Sequence, residues 1–135
     1  VKPTANADAV FILNAMSAQE RKDHPLASGV LDYFPDALTL VARVSKAGND
    51  QHNPGQPLHW AREKSLDHAD CILRHLIGRG TMDEDEMPHS AKLAWRALAL
   101  LQTEIEAEEG ARALPAPAVP TQGIDHWGPN DYTGL

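Results

Sequence analysis

No stretch of this chain alternates apolar and polar residues for more than a few positions; its apolar residues recur instead at three- and four-residue spacing. That rhythm confines the fold to helices, because a half-buried strand needs a period of two and a helix a period near 3.6. Leu93, Ala97, Leu100, Leu101 and Ile105 form the clearest row, as the buried side of a helix expected from His89 to about Glu108, with Gly110 as its stop. Phe34-Pro35-Asp36 opens another, since proline is tolerated in a first turn and an acid suits the positive helix end. Leu38, Val41, Ala42 and Val44 carry that helix to Gly48, where residues 48–57 read as a loop. Asn6 caps an expected first helix through about Glu20, with Val10, Phe11, Ala15 and Met16 at helical spacing. A third helix is expected from roughly His59 to Gly78. No internal period points to a repeat. The expectation is an all-α domain of about four to five helices over residues 1–112. Residues 113–135 hold Pro115, Pro117, Pro120 and Pro129 and are expected to be an irregular tail. Its Trp127 and Tyr132 either pack on the body or a neighbouring subunit, or stay solvated.

Charge narrows the partners. Twelve Lys and Arg stand against 19 Asp and Glu, a formal net charge of -7 that argues against nucleic acid as a partner. No uncharged apolar run approaches the length of a membrane span, so no membrane partner is expected. The one cysteine, Cys71, has no internal disulfide partner, and no charged-apolar-small leader is visible; the expected compartment is the reducing cytoplasm.

The third helix concentrates the chemistry. Glu63, Asp67 and Asp70 fall at i, i+4 and i+7, which on one continuous helix would put three carboxylates on one stripe. Leu66, Ala69, Leu73 and Ile77 then form the adjoining apolar face, expected to be buried. Neighbouring carboxylates repel, and a hard divalent cation such as Mg²⁺ or Mn²⁺ relieves that repulsion. A solvated face whose acids pair with Arg62, Lys64 or Arg74 explains the same spacing, and both readings stand at this point. Asp36 is either a further carboxylate or a simple helix-start charge. The run Asp83-Glu84-Asp85-Glu86 lacks the glycine and closing glutamate of a calcium loop, and its expected use is structural. The seven histidines form no zinc signature; His68, Ile72, His75 and Arg79 share a strip suited to phosphate contact or subunit packing. Cys71 reads as a small packed residue. No GxSxG, Walker or GxGxxG motif occurs, which removes the serine-hydrolase, P-loop and Rossmann classes.

Three blocks, PDALTLVARVSKAG at 35–48, DCILRHL at 70–76 and DEDEMPHSAKLAWRALALL at 83–101, carry a resemblance over Phe34 to Gln102. The stretch resembles the phage branch of the MazG-like all-α nucleotide pyrophosphohydrolases, described as dATP/dGTP diphosphohydrolases. The wider family grips magnesium with an ExxD pair on one helix and an EExxE motif on the preceding one. Asp67-His68-Ala69-Asp70 stands where ExxD is expected, while EExxE is absent and Asp36 is the one acid near its place. Glu63 or Asp83 would make up the ligand count. The resemblance implies two or more Mg²⁺ or Mn²⁺ ions on Asp36, Glu63, Asp67 and Asp70, with Glu63, Asp67 and Asp70 as the catalytic acids. It implies cleavage of a deoxynucleoside triphosphate, dGTP before GTP or dATP, to monophosphate and pyrophosphate. Lys46, Arg74 and His75 are the candidates for the phosphates, and Asn49, His52 and Trp60 for the base. The resemblance also implies a homotetramer built as a dimer of dimers, and a phage role in making 2-aminoadenine nucleotides. A non-catalytic helical interaction or nucleotide-sensing module is the competing expectation, motivated by the missing EExxE and the proline-rich tail.

Overall fold

Residues 15–113 are described in a computed structural model of the protein. They form four α-helices, a π-helical turn and a 3₁₀ turn; among the described residues the sole β feature is an isolated bridge between Met82 and Pro88. The all-α expectation holds. The expected helix starts in Asn6–Phe11 and the tail with Trp127 and Tyr132 lie outside the described residues.

The chain divides into two compact units, Val1–Leu38 and Thr39–Leu135. In the first, helix α1 (Ala18–Asp23) is fixed by its start: Ser17 Oγ accepts from the Glu20 amide while Glu20 accepts from the Ser17 amide. This reciprocal capping box satisfies two amides that a helix end otherwise leaves without partners. It also corrects the expected helix through Glu20, because a cap at Ser17 begins a new helix there. A π-helical turn at Ala27–Leu31 follows.

Helix α2 (Pro35–His52) begins in the first unit and contributes to the second from Thr39 onward. It runs through Gly48, which is buried inside it, and ends only before Asn53-Pro54. A proline disfavours helical backbone in the residue before it, so Pro54 and not Gly48 sets the boundary. Gly55, at φ 75°, then turns the chain.

The expected helix from His59 is shorter than its pattern. Arg62–Lys64 form a 3₁₀ turn and helix α3 spans only His68–Ile77. Asp67 occupies the N-cap position without capping; its carboxylate is engaged by side chains from elsewhere. Helix α4 (His89–Ala113) starts as expected and continues past Gly110.

Helices α3 and α4 pack together, and the sides they present to each other are not the expected ones. The buried residues of α3 are His68, Cys71 and His75, whereas Leu66, Ala69, Leu73 and Ile77 are exposed, Ile77 at 84%. On α4, Ala91, Lys92, Arg96 and Ala99 are buried; Ala97, Leu101 and Ile105 face outward, and Leu93 and Leu100 are half-buried. The reason is ionic. Lys92 and Arg96 can go inside because carboxylates from the preceding segments meet them, as described below. The apolar core of the second unit is correspondingly small: Val44 from α2, Met87 and Ala91, with Ala47 and Trp95 packed against them. Trp95 donates from Nε1 to Ser45 Oγ at 2.6 Å, which fixes α4 to α2. None of the described helices is long and apolar enough to cross a membrane.

Truncating Arg96 to alanine empties a fully buried volume and leaves Asp67 without its cation. The expected loss is about 3 kcal/mol or more in equilibrium urea denaturation. The exposed Arg43→Ala should stay within about 0.5 kcal/mol of the parent.

Candidate functional site

A cavity of about 340 Å³ opens between the C-terminal turns of α2, the loop that follows and α4. Ser45, Gly48, Asn49 and His52 line it from α2, Trp60 and Lys64 from the connecting segment, and Trp95 from α4. Of the sequence-derived substrate candidates, Asn49, His52 and Trp60 come together here. Asn49 is buried, and both ends of its amide are used: Nδ2 donates to Gln56 O at 3.0 Å, and Oδ1 accepts from the His59 amide at 3.0 Å. Asn49 therefore shapes the loop wall. Trp60 meets Trp95 edge to face at 5.6 Å between ring centres, and the Arg62 guanidinium lies 4.1 Å from the Trp60 ring centre. Arg62 is held in turn by Glu106, with Nε 2.9 and 3.0 Å from its two oxygens. The indole N–H of Trp60 is buried and has no hydrogen-bond partner, an arrangement that costs free energy.

Lys46 is not among the cavity residues; it forms an exposed pair with Asp50 one turn on. Arg74 and His75 lie on α3, with Arg74 Nη2 3.7 Å from Cys71 Sγ.

The carboxylates expected on one stripe are separated by the break before α3. Glu63 sits on the 3₁₀ turn and is exposed, Asp70 is exposed in the first turn of α3, and Asp67 is buried between them in sequence. Asp36, exposed, belongs to the first unit. Asp67 faces a different set of groups: Cys71 Sγ donates to its Oδ2 at 3.3 Å, and Arg96 Nη1 lies 3.6 Å from Oδ1. Arg96 also donates to His68 Nδ1 at 3.1 Å; because arginine only donates, His68 carries its proton on Nε2. Burial, reinforced by Arg96, holds His68 below the usual imidazole range, against the pull of Asp67. Burial pushes the Cys71 thiol up, in keeping with a packed thiol. These three acids do not form a ligand cage among themselves.

A different group converges. His75, Asp83 and His89 offer one ligand atom each, all within 4.8 Å of one another, and among the described residues this is the set of three that does so. His75 Nδ1 and His89 Nδ1 are 3.0 Å apart, and His89 Nδ1 is 4.0 Å from Asp83 Oδ2. The turn between α3 and α4 builds this arrangement. The Asp83 amide donates to Met87 O at 2.9 Å and the His89 amide to Thr81 O at 3.1 Å, closing the loop on itself. Lys92, one turn into α4 and 2% exposed, reaches back to Asp83 Oδ2 at 2.7 Å and Asp85 Oδ2 at 2.8 Å. The acidic run thus serves structure, as expected, through Asp83 and Asp85. The hydrogen bond from Lys92, with lesser help from the Glu84 amide and His89, lowers the Asp83 pKa to about 2. The sequence signal for the group was the RHL…DEDE…PH pattern; what hid the group was its spacing, with the two histidines 14 positions apart.

A family model described as dATP/dGTP diphosphohydrolase, N-terminal, matches residues 9–112. No curated protein and no solved structure matches the chain.

Because the folded-state pKa of Asp83 lies below the unfolded value of 3.8, its contribution to stability is fully present above about pH 4 and is lost as pH falls toward 2. Acid titration of the folded fraction should show this limb. Asp83→Asn should flatten it, and an unchanged acid midpoint would contradict the pairing with Lys92.

Proposed function

The chain belongs to the dATP/dGTP diphosphohydrolase N-terminal family, a family of nucleotide diphosphohydrolases, and from that premise we propose that it converts dGTP, and more slowly GTP or dATP, to the nucleoside monophosphate and pyrophosphate. The observation that carries this reading is the cavity between Trp60 and Trp95. Its volume suits a purine base, and its two indoles offer apolar faces. His52 and Lys64 on the cavity wall supply polar and cationic contacts outside the base.

Hydrolysis between the α- and β-phosphates needs an in-line water and a sink for its proton, with little covalent help from the protein. A Mg²⁺ or Mn²⁺ ion bound with the triphosphate would supply charge neutralisation at the phosphates. Glu63, next to Lys64 of the cavity wall, and Asp70, in the first turn of α3, are exposed acids, and one of them accepts the proton of the attacking water at a carboxylate oxygen. Asp67, tied to Arg96 and Cys71, acts on Asp70 by fixing the start of α3. Lys46, Arg74 and His75 lie off the cavity wall, so the phosphate cation of this reading is Lys64.

Assembly follows from the same packing. The exposed Leu73 and Ile77 on α3, with Leu66 just before it, and Leu98, Leu101 and Ile105 on α4 support a homotetramer in which a second chain covers them. The phage setting completes the proposal: as in the MazZ enzymes of cyanophages, the dGMP product would feed synthesis of a 2-aminoadenine nucleotide in the host cytoplasm.

Asp70→Asn should reduce pyrophosphate release from dGTP at least a hundredfold while leaving the circular dichroism spectrum unchanged, as read by chromatographic product analysis with Mg²⁺ or Mn²⁺ added. Turnover that persists in this variant, or in EDTA, would sink the assignment. Light scattering should return the mass of four chains; a single-chain mass would refute the assembly.

A further inference from the structure

The two histidines that close the α3–α4 turn face each other in a way that a helix pair does not require. His75 Nδ1 and His89 Nδ1 are 3.0 Å apart, so their lone pairs repel unless a proton or a cation lies between them. Asp83 completes a set of three ligand atoms within 4.8 Å. The ring of His89 is held by close fit: a Cβ placed on Gly78 would lie 2.7 Å from its Cδ2, a distance that packed atoms do not tolerate. Glycine at the end of α3 is therefore what lets the ring reach His75.

Charge at the group is also favourable to a cation. Lys92 holds two carboxylates, Asp83 and Asp85, so one ammonium faces two negative charges. Asp83 can turn toward a cation while Lys92 keeps Asp85, and the buried ammonium is never left alone. Each element of the turn supplies one ligand: α3 gives His75, the loop gives Asp83 and α4 gives His89.

We propose that His75, Asp83 and His89 bind one first-row transition-metal dication of the zinc class, which clasps the end of α3 to the start of α4. Two imidazole nitrogens and one carboxylate are a borderline donor set, suited to Zn²⁺ and its neighbours and poor for Mg²⁺, which takes oxygen ligands. Three protein ligands leave a coordination position open to water. Its three ligands include neither Glu63 nor Asp70, and the site does not rest on the nucleotide reading.

Metal-stripped full-length protein titrated with ZnCl₂ in a calorimeter should bind one Zn²⁺ per chain, at least a hundredfold more tightly than Mg²⁺. Because an ion that binds only the folded state stabilises it, Zn²⁺ should also raise the thermal midpoint. His75→Gln and His89→Gln should each weaken binding tenfold or more and abolish that rise, while the exposed His24→Gln changes neither. Gly78→Ala, which keeps all three ligands and displaces the His89 ring, should weaken binding as well; circular dichroism establishes that each variant is folded. Undiminished binding in folded His89→Gln, an equal loss in His24→Gln, or no preference for Zn²⁺ over Mg²⁺ would overturn the site. The readout is binding without nucleotide, so its failure and a failure of dGTP turnover are told apart.

Discussion

Everything in the second unit depends on two cations buried one turn apart on α4. Lys92 and Arg96 are 2% and 0% exposed, positions that would ordinarily go to leucine. An unpaired charge there would cost several kcal/mol, so the fold has to deliver a carboxylate to each. Asp83 and Asp85 come from the turn before α4, and Asp67 from the residue before α3. These pairings set the length of the turn, the start of α3 and the rotation of both helices about their axes. Arg96 further fixes the tautomer of His68, and Lys92 leaves His75 and His89 facing each other beside Asp83.

That constraint explains what could and could not be read from the residues. Helical period alone gave the class, the start of α4 at His89 and the loop around Pro54 and Gly55. It failed on rotation. The pattern places Leu73 and Ile77 inside because periodicity counts apolar side chains and has no way to see that Arg96 will find Asp67 from 29 positions away. It also overran the start of α3: residues 59–67 keep a helical spacing of acids, but Arg62–Lys64 make only a 3₁₀ turn. The acidic stripe vanished with that break. For the site, the cavity residues Asn49, His52 and Trp60 were legible because a loop rich in Gly and Pro beside an aromatic residue is local information. The group His75, Asp83 and His89 was not, since it exists only once the turn closes.

The polar interior has a consequence for the exterior. With Lys92, Arg96, His68 and His75 taking the positions between α3 and α4, the apolar rows of both helices are displaced outward. A small helical unit arranged in this way has little apolar core of its own. The proposed tetramer and the buried ion pairs are thus two results of one choice of helix rotation. The acidic excess of the chain is redistributed by the same choice: Asp67, Asp83 and Asp85 neutralise interior cations, and Glu63 and Asp70 remain exposed.

The proposed reaction is hydrolysis between the α- and β-phosphates of a purine deoxynucleoside triphosphate bound beside Trp60. Hydrolysis of dGTP in ¹⁸O-labelled water, followed by mass spectrometry of the products, tests it most directly. The expected products are dGMP and pyrophosphate in equal amounts, with one ¹⁸O carried between the two. Products consisting of dGDP with phosphate or deoxyguanosine with triphosphate would contradict it.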